Sequence, residues 1–371
     1  MLTLIVTGAS GALGMRFVRD WLRTHADWRI VAVFRSREAA EACLHALPAA
    51  MHSALTTLIA DLNDPASLRA AAKTLPKIDR AVAVHLAADV AWDKTFDEMR
   101  ALNVDGSLHF GDFVAQVARQ PHFIYVSTAF TRTYDWIYRN GYEESKAAGE
   151  RALHTRFASI MPVSVFSCSL VVGDSTNGAI GRFHGLYPLI RFIAALSPPF
   201  LVGNRAGRFD LVPIDWVVDE LMQLVERCAA GAAAAEVVAA AGDARLPYER
   251  VIRIVESRID LAREAAGLPA LTPVPILRGR QWAFLKRSLA AWRPDGVSAN
   301  DFRYFERLLQ IYGVYAESET VRAPLNVTQD APGAELFLPR AVDYWLSHSP
   351  DARSCLTRRA MANVVSTAST V

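Results

Sequence analysis

The strongest constraint in this sequence is an alternation that fills its first half. Short apolar and β-branched runs are each followed by a longer stretch with helical spacing. Residues 2–6 are continuously apolar or β-branched, the pattern of a strand buried on both faces. Residues 12–25 then carry Leu13, Phe17, Val18, Trp21 and Leu22 at helical intervals. The same alternation predicts strands over 30–34, 55–60, 81–86, 123–126 and 163–172. Helices are expected over 37–47, from Asp64-Pro65 onward, over 92–118 and over 143–157, with Pro65 suited to a first helical turn. Strands separated by helices of this length pair in parallel through right-handed crossovers. The expected fold class is α/β, a Rossmann-type doubly wound parallel sheet.

After Gly173 the pattern changes. Residues 174–181 are turn-rich and 183–196 are aromatic and helical. A strand-then-helix pair over 209–214 and 215–228 looks like a return to the sheet, with the alanine-rich 235–239 as its last strand. From Pro247 onward helical segments follow, among them 280–292 and 300–312. The expected organisation is a dinucleotide-binding domain over 1–173 with return elements at about 209–242. A smaller, mostly helical substrate lobe takes 174–208 and 243–350, and residues 356–371 form a frayed tail.

With 52% hydrophobic residues, the 371-residue chain can bury a sizeable core. Its 40 Lys+Arg against 38 Asp+Glu leave a net charge of +2, which gives nucleic acid no support as a partner. No run of about 18 uncharged apolar residues is present. No charged segment precedes the first strand, so no signal peptide is expected. Cys43, Cys168, Cys228 and Cys355 are scattered without metal-like spacing, as expected for reduced thiols in a cytoplasmic protein. Cys168, inside an apolar strand, reads as a small buried hydrophobe. The nine histidines form no H-x-x-x-H pattern, so no metal site is expected.

Between the first strand and first helix lies Thr7-Gly8-Ala9-Ser10-Gly11-Ala12-Leu13-Gly14, a relative of the G-x-G-x-x-G dinucleotide fingerprint. Gly8 suits a tight turn, Gly11 the close approach of a pyrophosphate, and Gly14 the packing of helix on strand. The helix N-terminus behind them offers N–H groups to phosphates. The second strand ends Val33-Phe34-Arg35-Ser36-Arg37, with no carboxylate to bind a ribose 2′-OH until Glu38. Arg35 is the expected contact for a 2′-phosphate, and the expected cofactor is NADP(H).

Tyr142 and Lys146 stand four residues apart on one helix face. An ammonium beside a phenol favours phenolate and lowers its pKa. Ser127-Thr128 ends the fifth strand, where groups of open α/β sheets meet their substrates. The aromatic segment 183–200 and Trp282, Phe284, Leu285, Leu289 and Trp292 read as core, as an acyl pocket or, with Lys286, Arg287 and Arg293, as a peripheral membrane contact.

These motifs resemble the extended short-chain dehydrogenase/reductase superfamily over most of the chain. The resemblance is carried by the glycine loop, Asp61-Leu62, His85-Leu86-Ala87-Ala88, Asn103-Val104-Asp105-Gly106 and Val126-Ser127-Thr128-Ala129. Tyr142-x-x-x-Lys146 and the segment from Asp210 to Asp215 complete it. Asn140-Gly141-Tyr142-x-x-Ser145-Lys146-x-x-x-Glu150 and Val171-Val172-Gly173-Asp174-Ser175 make the chain most similar to the fatty acyl-CoA reductase and thioester reductase branch. The resemblance implies Tyr142 as general acid, Lys146 as the residue that holds the nicotinamide ribose and tunes Tyr142, and Thr128 as oxyanion donor. It implies Thr7, Gly8, Ser10, Gly11, Ala12, Leu13, Gly14, Arg35, Asp61, Leu62, Ala87, Tyr142 and Lys146 around the cofactor, with Asp61 and Leu62 at the adenine. For Asn103, a catalytic role and a helix-kinking role stand side by side. Two departures bear on the substrate: Ser167-Cys168 replaces the usual Arg-Pro, and the interval from Thr128 to Tyr142 is short. The implied activity is NADPH-dependent reduction of an acyl thioester, on coenzyme A or a carrier protein, to aldehyde or alcohol. A dehydrogenase or epimerase of a sugar-nucleotide, sterol or other alcohol is the alternative, and a cofactor-binding regulatory protein is a third.

Overall fold

The computed structural model describes residues 2–131, 138–196, 198, 200–288, 303, 306–309, 312, 331–352 and 356. In chain order β1 (Leu2–Thr7) leads to α1 (Ala12–Thr24), β2 (Arg29–Phe34) to α2 (Arg37–His45), and β3 (Leu55–Ile59) to α3 (Pro65–Ala72). Then β4 (Ile78–His85) leads to α4 (Phe96–Arg100) and α5 (Gly106–Val117), and β5 (Ala118–Thr128) to α6 (Gly141–Phe157). The short strands β7 (Leu170–Val172), β8 (Leu201–Val202), β9 (Arg208–Phe209) and β10 (Leu211–Pro213) follow β6 (Val163–Cys168), with α7 (Tyr187–Leu196) among them. Next come α8 (Ile214–Ala229), β11 (Glu236–Ala239), β12 (Leu246–Pro247), α9 (Tyr248–Ala265), β13 (Ile276–Leu277), α10 (Gly279–Ser288) and α11 (Ala334–His348).

Seven strands form one all-parallel sheet in the order β11-β6-β5-β4-β1-β2-β3. Its first six strands have the Rossmann order 3-2-1-4-5-6, and the expected fold class is the one observed. Helices α3, α5 and α6 cover one face, where Phe110, Phe113, Phe123, Tyr125, Leu153 and Phe157 join a single buried cluster. The chain divides into two compact units. One comprises Met1–Ser169 and Ile214–Ala240 and holds the whole seven-stranded sheet; the other begins with Leu170–Pro213 and resumes at Ala241. The second unit holds α7, α9, α10, α11 and the three small strand pairs β7–β10, β9–β12 and β8–β13. In it Phe200 packs on Trp282 at 5.4 Å between ring centroids, while Phe284 is exposed.

Three elements differ from their sequence patterns, each for a local reason. The run over 209–214 does not rejoin the main sheet, because β10 pairs with β7; the seventh strand is β11, with Val238 paired to Ser167. The long helix expected over 92–118 begins at a capping box between Thr95 and Glu98 and is broken by a π turn at Ala101–Asp105. Asn103 lies within this break, and its buried side chain bonds the backbone of Asp89. The run over 163–172 is two strands, β6 and β7, in different sheets. Residues 289–292 of the expected helix 280–292, the helix over 300–312 except 303, 306–309 and 312, and the tail beyond 356 lie outside the described residues. No described helix is long and apolar enough to cross a membrane.

The joint between β1 and α1 depends on backbone packing. A Cβ on Gly14 would lie 2.2 Å from the Gly8 carbonyl oxygen, and backbone cannot yield as a side-chain tip can. Gly14→Ala is therefore expected to destabilise by about 1–3 kcal/mol through overpacking, outweighing the roughly 1 kcal/mol of helix propensity that alanine adds. Gly181→Ala, where an added Cβ meets nothing within 4 Å, is the control and should leave the urea midpoint almost unchanged.

Candidate active site

All of the predicted site residues except those on α6 stand at the carboxyl edge of the parallel sheet or in the turn and first residues of helix that follow it. At β1, Gly8 takes φ +74°, and a Cβ there would lie 2.6 Å from the Ala87 nitrogen. The Gly11 N–H donates to the Gly8 carbonyl at 2.9 Å, closing the turn, and a Cβ on Gly11 would come within 3.3 Å of that oxygen. Gly11 caps α1 with no side-chain bond, and the first helical turn holds no acidic residue. The turn and the helix end thus present the backbone N–H groups of the first turn of α1 beside Gly8 and Gly11, which carry no side chains. This cradle fits the pyrophosphate of a dinucleotide.

The other predicted cofactor residues divide by where their side chains go. Arg35 is exposed directly after β2, while Ser36 turns back to cap α2 through the Ala39 N–H at 3.3 Å. Asp61 accepts the Asn63 N–H at 2.9 Å, closing the turn after β3. The Leu62 side chain belongs to the core, and its carbonyl accepts from His109 Nδ1 at 2.8 Å. Thr7 turns inward: its hydroxyl meets His85 Nδ1 at 2.6 Å and accepts the Ala87 N–H at 3.3 Å. His85 is fully buried, and its other ring nitrogen meets the Ser107 hydroxyl at 2.9 Å. Burial, with Lys146 nearby, holds its pKa well below that of a free imidazole, so it stays neutral.

Helix α6 supplies Tyr142 and Lys146, and its start is fixed three times over. Asn140 caps it by accepting the Glu143 N–H at 2.9 Å. The fully buried Glu143 carboxylate takes the Arg139 N–H at 2.9 Å and pairs with its guanidinium at 3.0 Å. Gly141 lies so close to the chain at Thr95 that a Cβ would stand 2.4 Å from it. Tyr142, between these anchors, has little freedom to shift.

Around Lys146 the structure gathers groups from several elements. Its Nζ lies over the Tyr125 ring, 3.9 Å from the centroid. Glu150, one turn further along α6, accepts from the Ser127 hydroxyl and, at 3.4 Å, from Thr131. Ser127 is thereby committed to α6, whereas Thr128, paired in register with Cys168, has among the described residues only the Phe130 N–H on its hydroxyl, at 3.4 Å. Asn103 satisfies its side chain within the protein: it accepts the Asp89 N–H at 2.7 Å and donates to the Asp89 carbonyl and the Ser145 hydroxyl, both at 2.9 Å. It ties the loop after β4 to α6.

Burial, not pairing, governs the titration of this site. The sequence expectation was a phenol made more acidic by a neighbouring ammonium. Instead burial raises the Tyr142 phenol above its ordinary value, with the Cys168 and Glu143 charges acting the same way. Burial lowers Lys146 to about 7, against the opposing pull of Glu150 and Cys168. Cys168 itself is only partly buried and its thiol is raised to about 11. It lies near both Tyr142 and Lys146, and its thiol keeps its proton at neutral pH. Among the described residues no cluster of three metal-ligating side chains occurs.

Tyr125, His85 and Glu150 were not singled out as site residues by sequence reasoning. Glu150 had a usable signal, a carboxylate four residues after Lys146 on the same helix face. Tyr125 had none, because an aromatic residue in a strand reads as core.

Comparison with known proteins agrees with this geometry. The family model described as Male sterility protein, an NAD-binding family, matches residues 6–136 and 132–221, more than half of the chain. The chain is 25% identical to the polyketide synthase–nonribosomal peptide synthetase hybrid himA of Aspergillus japonicus, over 80% of its own length but 8% of that protein's. Among solved structures, the terminal R domain of the myxalamid PKS-NRPS pathway is 17% identical, with a TM-score of 0.68 over 94% of this chain and 91% of that one. A thiolation-reductase di-domain from an archaeal nonribosomal peptide synthetase is 14% identical, with a TM-score of 0.66 over 93% and 75%. Likenesses at these identities speak for the fold, while the family match speaks for the cofactor. The chain belongs to the Male sterility protein family of NAD-binding domains.

Proposed function

We propose that the chain is an NADPH-dependent reductase of acyl thioesters carried on coenzyme A or a carrier protein, yielding an aldehyde and, after a second reduction, an alcohol. The observation that carries this reading is Thr128 at the carboxyl end of β5 with Tyr142 and Lys146 on α6, the helix that follows, in a chain that resembles reductase domains of thiolation-based synthetases. In this reading the sheet-bearing unit binds the dinucleotide and the second unit, rich in buried aromatic and aliphatic side chains, accommodates the acyl group.

When bound, the dinucleotide supplies the hydride for the thioester carbonyl. Thr128 donates a hydrogen bond to the oxygen on which charge develops. Tyr142 delivers its proton to that oxygen, giving a hemithioacetal that collapses to aldehyde and free thiol. With its pKa raised, the phenol holds its proton at neutral pH and is in the form a donor needs. Lys146 steadies the phenolate that donation leaves behind and holds the nicotinamide ribose. Arg35 takes the 2′-phosphate that distinguishes NADPH, and Gly8, Ser10, Gly11, Ala12, Leu13 and Gly14 take the pyrophosphate, with Thr7 supporting the turn. Asp61 and Leu62 border the adenine, and Ala87 lies beside the centre of the cofactor.

The deciding experiment incubates the protein with NADPH and a panel of acyl-CoA and carrier-bound thioesters, ketones and alcohols. Thioester-dependent NADPH oxidation is expected, with Tyr142→Phe lowering kcat by about 10²–10⁴-fold while NADPH still binds. Turnover of ketones or alcohols alone, or full activity in Tyr142→Phe, rejects the reading.

Arg35→Ala should raise KM for NADPH by about tenfold to a hundredfold, the worth of a charge-assisted hydrogen bond of roughly 1.5–3 kcal/mol, and leave NADH almost unaffected. Equal losses with both cofactors would remove Arg35 from the 2′-phosphate.

The reaction needs Lys146 charged, and its pKa lies near 7 in the cofactor-free protein. Hence kcat/KM for the cofactor should fall as pH rises through about 7. The stability contribution runs the other way. Because the folded pKa is below the unfolded one, protonating Lys146 opposes folding, and this contribution improves as pH rises above 7. A pH–rate profile flat between pH 6 and about 9 would contradict this titration.

A further inference from the structure

A lysine held out of water needs neighbours that keep its charge. Lys146 is 2% exposed, and the titratable groups facing it come from four elements. Tyr142 and Glu150 lie on α6, Cys168 ends β6, His85 ends β4, and Tyr125 lies on β5. Of these only Glu150 is a carboxylate, and its Oε1 already accepts the hydroxyls of Ser127 and Thr131. The face of the Tyr125 ring, 3.9 Å from Nζ to centroid, carries the negative lobe of an aromatic quadrupole.

That ring is itself immobilised. Tyr125 is fully buried, and its hydroxyl donates to the Asn103 carbonyl in the π turn at 3.3 Å. The same carbonyl takes the Ser107 hydroxyl at 2.8 Å, so two hydroxyl donors converge on it. Gly149 leaves the space the phenol occupies, since a Cβ there would stand 2.5 Å from the Tyr125 oxygen. An aromatic side chain whose tip is pinned to one helix presents its face steadily to a lysine on the next.

From this juxtaposition we infer that Tyr125 is a positioning residue, whose ring seats the Lys146 ammonium and whose hydroxyl fixes that ring to the π turn. The inference rests on the reading in which Lys146 serves Tyr142, and it adds a residue two positions before Ser127. The sign follows directly. The ring favours the charged lysine, so its removal lets burial lower the Lys146 pKa further.

The test reads Lys146 itself. The chain has five lysines (Lys73, Lys77, Lys94, Lys146 and Lys286), so 13C-labelled lysine Cε signals of the full chain can be titrated singly, with Lys146→Arg assigning the one of interest. Tyr125→Leu is expected to lower its midpoint by about one pH unit, a tenfold loss of proton affinity. Tyr125→Phe, which keeps the ring but frees it from the π turn, should lower the midpoint by less than Tyr125→Leu does. A purely structural role would lower stability in both variants and leave the midpoint in place, which would overturn the inference. Should Tyr125→Leu fail to fold, fluorinated phenylalanines at position 125 keep the ring's volume while draining its face. A stepwise fall of the midpoint from mono- to trifluoro-substitution supports the seat, and a level series overturns it. The same samples assayed with NADPH and acyl thioesters separate the two readings. A midpoint that moves without thioester turnover rejects the substrate assignment alone; turnover with an unmoved midpoint rejects the role of Tyr125 alone.

Discussion

Parallel strands can be joined only by crossovers, and this requirement arranges everything else in the sheet-bearing unit. Each crossover returns the chain to the same edge before the next strand begins, so all seven strands end together. Gly8, Arg35, Asp61, Ala87, Thr128 and Cys168 are spread over some 160 positions of sequence, yet each stands at or just after the end of a strand. No direct attraction among these residues is needed to collect them. Hydrophobic burial of the strands on both faces sets their places, and the polar site is a consequence of that burial.

The same burial sets the titration of Tyr142 and Lys146, the proposed catalytic pair. Two effects compete at Lys146 and Tyr142: attraction between an ammonium and nearby negative charge, and the cost of removing charge from water. The second wins at both residues, raising the phenol and lowering the amine. Both groups are thereby biased toward neutral forms, and the site is poised for proton donation rather than for a standing phenolate. The cost is contained by rigid surroundings. The Asn140 cap, the Arg139–Glu143 pair and the Asn103 bridge to Ser145 all act on the first two turns of α6.

The periodicity of the chain made the sheet and its class readable, because strands buried on both faces leave continuous apolar runs. Motif spacing likewise placed Thr128, Tyr142 and Lys146 on a strand end and one helix face. Three things were not legible for physical reasons. The partner of Asn103 at the break before Gly106 is one: a helix-kinking role stood open for this residue, but its bonds to Asp89 are contacts that no local pattern encodes. The pairing of β10 with β7 instead of the main sheet is a choice among strands of equal propensity. The direction of the titration shifts depends on desolvation, which requires knowing how deeply α6 is packed.

The end of β6 shows how a departure from the family pattern bears on this balance. Ser167-Cys168 stands where the resemblance implies Arg-Pro, and Cys168 pairs in register with both Thr128 and Ala239. The next N–H, that of Ser169, donates to the Ala239 carbonyl at 3.0 Å, so the strand keeps its ladder to its last residue. The hydroxyls of Ser167 and Ser169 are buried with no partner among the described residues, and such groups cost about 1–3 kcal/mol each. Stability is thus given up at the strand end nearest the catalytic pair, which is where functional sites tolerate it.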